Sequence, residues 1–241
     1  VVHAILTDIH GNLEALEAVL ADLDRFRPAS MVCLGDFVGY GASPNECIES
    51  LRPRLEEAVI GNHDLAAVGK LALRGFHNDA AAAARWTDLA LTPENRAYLE
   101  SLPFTRAWRG TRLTHGAPSE PAEWRYVLSS RDAMAEFEAF EERVCFIGHS
   151  HFPCAFDRDP RELRFRRDDE IAIEPGHRYL VTVGSVGQPR DGDPRAGYAL
   201  YDERAGLIRQ VRVGYDVDGA MRRIRAAGLP AFLAERLQWG E

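Results

Sequence analysis

Apolar positions along the chain follow two alternating rhythms. Val1 to Leu6 is a short apolar run that reads as a buried strand. After Asn12 the period changes: Leu13, Leu16, Leu20 and Leu23 recur at helical spacing, with acidic residues between them, until Pro28 stops the pattern. The alternation then repeats. Ser30 to Leu34 predicts a second strand, Pro44 to Leu51 a second helix with proline in its first turn, and Ala58-Val59-Ile60 a third strand. Strand, helix, strand, helix is the signature of a sheet built with right-handed crossovers.

The rhythm is helical from about residue 64 to 102, with an alanine-rich block at Ala80 to Ala84 and a start at Thr92-Pro93-Glu94, where Thr92 is placed to cap. This segment reads as a helical insertion that covers a face or walls a site. Past Pro103 the pattern becomes short and turn-separated. Strands are predicted at Thr111–Thr114 and Val144–Ile147, with a helix over Asp132–Phe140 between them. Further strands follow at Ala155–Phe156, Leu163–Phe165, Ile171–Ile173, Tyr179–Val183, Gly197–Tyr201 and Leu207–Val213. A second, largely antiparallel sheet is the expected product. A helix over Val217–Ala227, broken at Gly228-Leu229-Pro230, and a short last helix complete an α/β chain. With no repeat, low-complexity tract or linker, residues 1–241 are read as one domain.

Composition narrows the classes. With 46% hydrophobic and 27% charged residues the chain resembles an ordinary globular protein. No apolar run is long enough to cross a bilayer and no secretory leader pattern appears, so a cytoplasmic protein without a membrane partner is expected. The four cysteines form no C-x-x-C pair, which removes zinc ribbons and thioredoxin-type chemistry. A net charge of -8 argues against a stable nucleic-acid complex through a broad basic face. It leaves a small anionic substrate open, because bound metal ions can be the largest local charges in a site.

Five segments share one grammar, in which a short strand runs into a tight glycine turn carrying polar side chains. They are Asp8-Ile9-His10, Gly35-Asp36, Gly61-Asn62-His63-Asp64, His115-Gly116 and Gly148-His149-Ser150-His151. In an extended segment Asp8 and His10 would project to the same side, just past the end of a strand, where open α/β sheets place their sites. Carboxylate oxygen beside imidazole nitrogen suits a divalent transition metal. His3, His77 and His177 stand outside these segments and are left out of the site.

The order D-x-H, G-D, G-N-H-[D/E], H, G-H-x-H strongly resembles the calcineurin-like metallophosphoesterases, from Val1 to about Gly197, with no motif missing. The resemblance implies a four-layer αββα sandwich of two mixed sheets. It implies one metal held by Asp8, His10 and His151, a second by Asn62, His115 and His149, and Asp36 bridging both. With ions about 3.5 to 4 Å apart, one carboxylate would spread its two oxygens over the pair. The implied reaction is attack on phosphorus by a metal-bridging hydroxide, its parent water lowered towards a pKa of roughly 7. Two divalent ions outweigh two carboxylates and that hydroxide, so an anionic phosphoryl group is the fitting substrate.

In the same resemblance His63 contacts the phosphoryl group and protonates the leaving oxygen, with Asp64 orienting its imidazole. The alternative for His63 is a structural role behind the ligands. Gly184-Ser185-Val186-Gly187-Gln188-Pro189-Arg190 resembles the loop of a bacterial branch that includes YfcE-like phosphodiesterases and relatives of diadenosine tetraphosphate hydrolase. Arg190 is either a clamp on a second phosphate, or a solvated turn arginine or the salt-bridge partner of Asp191 or Asp193. Asn12 is either a substrate contact or, preferably, the cap of the first helix.

The reading is therefore a dinuclear phosphoesterase that cleaves a phosphodiester or phosphoanhydride in a small nucleotide-like substrate. A phosphoprotein phosphatase and a non-catalytic scaffold on the same fold are the alternatives. Nitrogen and oxygen ligands suit manganese first, with iron, zinc, cobalt and nickel open. Nothing in the sequence speaks to oligomeric state.

Overall fold

In a computed structural model of Val1 to Glu241, alternation along single strands generates the layers. In β1 (Val2–Leu6), Ala4 and Leu6 pack against Leu16, Val19 and Leu23 of α1 (Leu13–Phe26), while Ile5 turns the other way to meet Phe146 and Tyr179. In β6 (Val144–Ile147), Val144 and Phe146 enter that same inter-sheet core, and Cys145 and Ile147 face Phe137 at the end of α6 (Ser130–Glu136). Both strands are covered on two sides, giving helix, sheet, sheet, helix. Each large side chain buried this way contributes about 1.5–3 kcal/mol.

The first sheet has the order β3 (Leu55–Ala58), β2 (Ser30–Cys33), β1, β11 (Ala196–Asp202), β12 (Leu207–Val213), β9 (Glu170–Ala172). The second runs β4 (Thr105–Trp108), β5 (Thr111–Thr114), β6, β10 (Arg178–Thr182), β7 (Cys154–Arg158), β8 (Leu163–Arg166). Parallel pairing holds β1, β2 and β3 together in one sheet and β5, β6 and β10 in the other; the remaining pairs are antiparallel. The expected αββα sandwich of two mixed sheets is what forms.

The remaining helices are α2 (Pro44–Leu51), α3 (Asn62–Ala67), α4 (Asn78–Ala90), α5 (Pro93–Ser101), α7 (Val217–Ala226) and α8 (Ala231–Glu235). Thr92 caps α5 as expected, its hydroxyl accepting from the Asn95 N–H at 3.2 Å. No helix is long and apolar enough to cross a membrane.

Three expectations need correction. The late strands do not form one antiparallel sheet: β9, β11 and β12 complete the first sheet, and β7, β8 and β10 join the second. The third strand lies at Leu55–Ala58, ahead of Val59-Ile60, and Glu56 and Glu57 hide it from a hydrophobic reading because it is a sheet edge. β4 lies outside the predicted strands, since it is the edge of the second sheet and its Arg106 and Ala107 are exposed.

Candidate active site

The five motif segments leave the carboxyl ends of parallel strands in both sheets, so the two sheets meet at one site. Asp8 and His10 follow β1, Asp36 follows β2, Asn62 and His63 open α3 after β3, His115 follows β5, and His149 and His151 follow β6. The Asp8 N–H donates to Gly35 O at 3.0 Å and the His10 N–H to Asp36 O at 2.9 Å, lacing the first two turns together. Across the sheets, the His149 N–H donates to Asp8 Oδ2 at 3.1 Å.

The segment around Asp8 is not extended. Asp8, His10, Asp36, His149 and His151 all have φ between 51° and 66°, a left-handed backbone that L-residues seldom adopt. Side chains converge here because the backbone turns at each residue, not because i and i+2 share a strand face. Such positions cost about 1–3 kcal/mol each and persist where surrounding structure enforces them. Gly61 is part of that enforcement, since a Cβ there would collide with the Asp36 carboxylate.

Two buried groups result, each able to hold a metal ion: Asp8, His10 and His151, and Asp36, His115 and His149. Asp8 Oδ1 lies 3.3 Å from His151 Nε2 and 3.7 Å from His10 Nε2. Asp36 Oδ2 lies 3.2 Å from His115 Nε2 and 3.6 Å from His10 Nε2, and so faces both groups. Asn62 Oδ1 is 3.2 Å from His115 Nε2.

The donor set fits cations. Nδ1 of His10, His115 and His151 donates to the carbonyl oxygens of Val38 (3.1 Å), Leu34 (2.8 Å) and Gln188 (2.5 Å). A carbonyl only accepts, so the Nδ1 proton is fixed and Nε2 is turned inward as the ligand atom. Asp8 Oδ1 and Asp36 Oδ2 are buried without any hydrogen-bond partner, a costly state that a cation relieves. Burial pushes both carboxyls up, but the surrounding histidines outweigh it and hold both well below the usual range. Burial pulls His115 down and the Asp36 carboxylate more than reverses it, to about 9. A proton can thus stand in that group where a metal ion would displace it. His149 and His151 are held down at about 4 and about 3 by burial, reinforced by the charges of His115 and Arg190 respectively, and the nearby carboxylates offset this only in part.

The geometry alters the sharing expected of Asp36. Its Oδ1 accepts the His63 N–H at 2.8 Å, so only Oδ2 is free toward the two groups. Any sharing of Asp36 between the groups would run through that one oxygen rather than through two.

His63 is buried, edge-on to His10 at 5.0 Å, and its Nδ1 has no partner. The expectation that Asp64 orients it is wrong. Asp64 Oδ1 accepts from the Val38 N–H at 3.1 Å and Oδ2 from the Gly61 N–H at 3.0 Å, so the carboxyl ties down the start of α3. Successive helical residues point about 100° apart, which turns Asp64 away from the His63 ring. Burial, with the Asp36 charge, raises Asp64 to about 8.

Asn12 takes the capping role. Its Oδ1 accepts from the Ala15 N–H at 3.1 Å, and its Nδ2 donates to Gly187 O at 2.9 Å and to the Tyr215 hydroxyl at 3.3 Å. Both ends of the amide are engaged within the protein. Arg190 has neither proposed acidic partner: Asp191 pairs with Arg212, and Asp193 with Arg195 at 2.6 Å. Its guanidinium instead donates to the Tyr40 hydroxyl at 3.1 Å and Gln188 Oε1 at 3.0 Å.

A cavity of about 640 Å³ opens beside these groups, lined by Asn62, His63, His149 and Arg190 and walled by Tyr40, Phe76, Trp124 and Tyr126. Tyr126 stacks on His149 with ring centroids 4.0 Å apart. The turn between α3 and α4 supplies Arg74, Phe76 and His77 to the cavity wall. His77 thus belongs to the rim, whereas His3 bonds Ser30 and His177 bonds Asp157 elsewhere. Sequence reasoning did not pick out the aromatic wall or Arg236, which arrives from the far end of the chain. Only Tyr40, within Gly39-Tyr40-Gly41, carried a local signal.

Comparisons with known proteins agree with this architecture. Residues 2–206 match the calcineurin-like phosphoesterase superfamily domain. An uncharacterised protein of Methanocaldococcus jannaschii is 38% identical over 98% of this chain and 97% of its own length. The crystal structure of a metallophosphoesterase from Sphaerobacter thermophilus is also 38% identical, covers 100% of this chain and 99% of that one, and superposes with a TM-score of 0.88. A hypothetical protein of Pyrococcus horikoshii shares the fold at 21% identity, with a TM-score of 0.79 and coverage of 100% and 98%.

Proposed function

This chain belongs to the calcineurin-like phosphoesterase superfamily, and within it we propose a dinuclear phosphoesterase acting on a small nucleotide-like substrate. The observation that carries this reading is the pair of abutting ligand groups. Six imidazole and carboxylate side chains, all buried, converge from both sheets, and the free oxygen of Asp36 faces both groups. Asn62 is assigned to the group of His115 and His149, adding a neutral oxygen and leaving that position electrophilic.

Two bound divalent ions would supply Lewis acidity toward phosphoryl oxygens and activation of a water nucleophile. The chain's own residues do the rest. Nδ1 anchoring fixes the imidazoles of His10, His115 and His151 so that Nε2 stays available without reorganisation. Burial keeps the His63 imidazole well below its ordinary range, hence neutral in the free site. An anionic phosphoryl group beside it supplies the charge that favours a proton there, for delivery to the leaving oxygen. Tyr126 and Trp124 offer flat faces to a nucleobase, and Arg190 offers an uncommitted charge to phosphate.

Manganese is the proposed metal, since hard oxygen and borderline nitrogen donors are mixed without thiolate. The test is elemental analysis of purified protein joined to a substrate panel of monoesters, diesters and anhydrides. Two equivalents of metal and metal-dependent hydrolysis are expected; a metal-replete protein inert to the whole panel would overturn the reading.

A further inference from the structure

The cavity carries more positive charge than the metal-ligand groups need. Beyond the ligands its wall presents Arg74, Arg190 and Arg236, against a single carboxylate, Asp79, which lies 3.5 Å from His77. This local excess runs against the net charge of -8 of the whole chain. Arg190 comes from the loop after β10 and Arg236 from the turn after α8, elements of unrelated origin that bring two guanidiniums to one space. Neither forms an ion pair with a side-chain carboxylate. Arg190 is held by neutral acceptors, Tyr40 and Gln188, and its Nε is buried without a partner. Arg236 is half-buried, its Nε on Glu241 O at 2.5 Å and its guanidinium 5.3 Å from the Phe232 ring. The two guanidiniums repel each other, and with no side-chain carboxylate paired to either, an anion lying between them relieves that repulsion.

We propose that Arg190 and Arg236 form a second phosphate subsite, so that the preferred substrate carries consecutive phosphates and the bond cleaved is a phosphoanhydride. This rests on the phosphoesterase reading above and assigns its substrate class. Planar guanidiniums with several donors match the oxygens of a phosphate distal to the reacting one. In the hydrolysis, a water oxygen bonds to the proximal phosphorus and the bond from that phosphorus to the bridging oxygen breaks. The bridging oxygen leaves with the electron pair as part of the distal phosphate, and the protons of the water go to product and solvent. Arg190 and Arg236 bind the distal phosphate as its charge grows. The helix pair α7–α8 is then a specificity wall, placing Arg236 where a plain ester leaves it without a partner.

The test compares kcat/KM for a nucleoside polyphosphate with that for bis-(p-nitrophenyl) phosphate, in the metal-loaded wild type and in Arg236→Gln and Arg236→Lys. The ratio should favour the polyphosphate in the wild type, fall by about 10- to 100-fold in Arg236→Gln and be partly restored by lysine. Calorimetric titration should show imidodiphosphate, which resists hydrolysis, binding at least tenfold tighter than orthophosphate, and Arg236→Gln erasing the difference. Cleavage of the aryl diester with a ratio unchanged by Arg236→Gln, or equal affinity for the two anions, overturns the subsite while leaving the phosphoesterase reading intact. Failure of the wild type to cleave either substrate overturns the reading itself.

Discussion

Asp36 Oδ1 accepts the His63 backbone N–H at 2.8 Å, which leaves Oδ2 as the one atom facing both ligand groups. The carboxylate ties the start of α3, which carries Asn62 and His63, to the end of β2. An amide cannot take this position. If the NH₂ faces the His63 N–H, two donors clash; if it faces the groups, a donor replaces the ligand oxygen.

Asp36→Asn is therefore expected to lower the affinity of both metal positions and cut activity by at least about 10²-fold, the scale reached when even an outer partner of a metal ligand is removed. Elemental analysis and circular dichroism on the same preparation check it. Full occupancy of both positions in a folded variant would remove Asp36 from the shared role.

His63 separates chemistry from binding. If it protonates the departing oxygen, His63→Ala should hardly slow an aryl phosphodiester, whose leaving group departs as a stable anion, yet slow an alkoxide-type leaving group by about 10²- to 10⁴-fold. Equal losses on both substrates at full metal occupancy would make His63 a phosphate stabiliser. Because burial keeps its imidazole neutral in the free site, the acid role further requires the substrate's own charge to bring the proton.

The cysteines should be silent. Burial raises the thiols of Cys33, Cys47 and Cys145 well above their usual range, and that of Cys154 to about 11. A raised pKa keeps the thiol protonated through pH 8, and the thiolate is the nucleophile. Native protein at pH 8 should show almost no reaction with a disulfide reagent, and all four should react once it is denatured. Cys145→Ser should retain full metal content.

The layers were legible because β1, β6 and α1 carry their own periodicity, which burial enforces residue by residue. The edges were not. Glu56-Glu57 in β3 and Arg106 in β4 obey no apolar rhythm, since an edge strand is half solvated. The candidate ligands could be picked out by motif order, yet the left-handed backbone that converges them is set by contacts between turns far apart in sequence, such as Asp8 with Gly35. Asp64 differs from its expected role for a related reason. Its proximity to His63 in sequence suggested a partner, whereas the helix turned it onto Val38 and Gly61. Arg236 had no motif to announce it, and only the fold brings it beside Arg190.

Anomalous diffraction at the manganese edge from crystals loaded with Mn²⁺ decides whether two metal positions share Asp36. Two peaks about 3.5 to 4 Å apart are expected, one by Asp8, His10 and His151 and the other by Asn62, His115 and His149, with Asp36 Oδ2 touching both. A single peak, or two peaks with Asp36 bound to only one, would contradict that sharing.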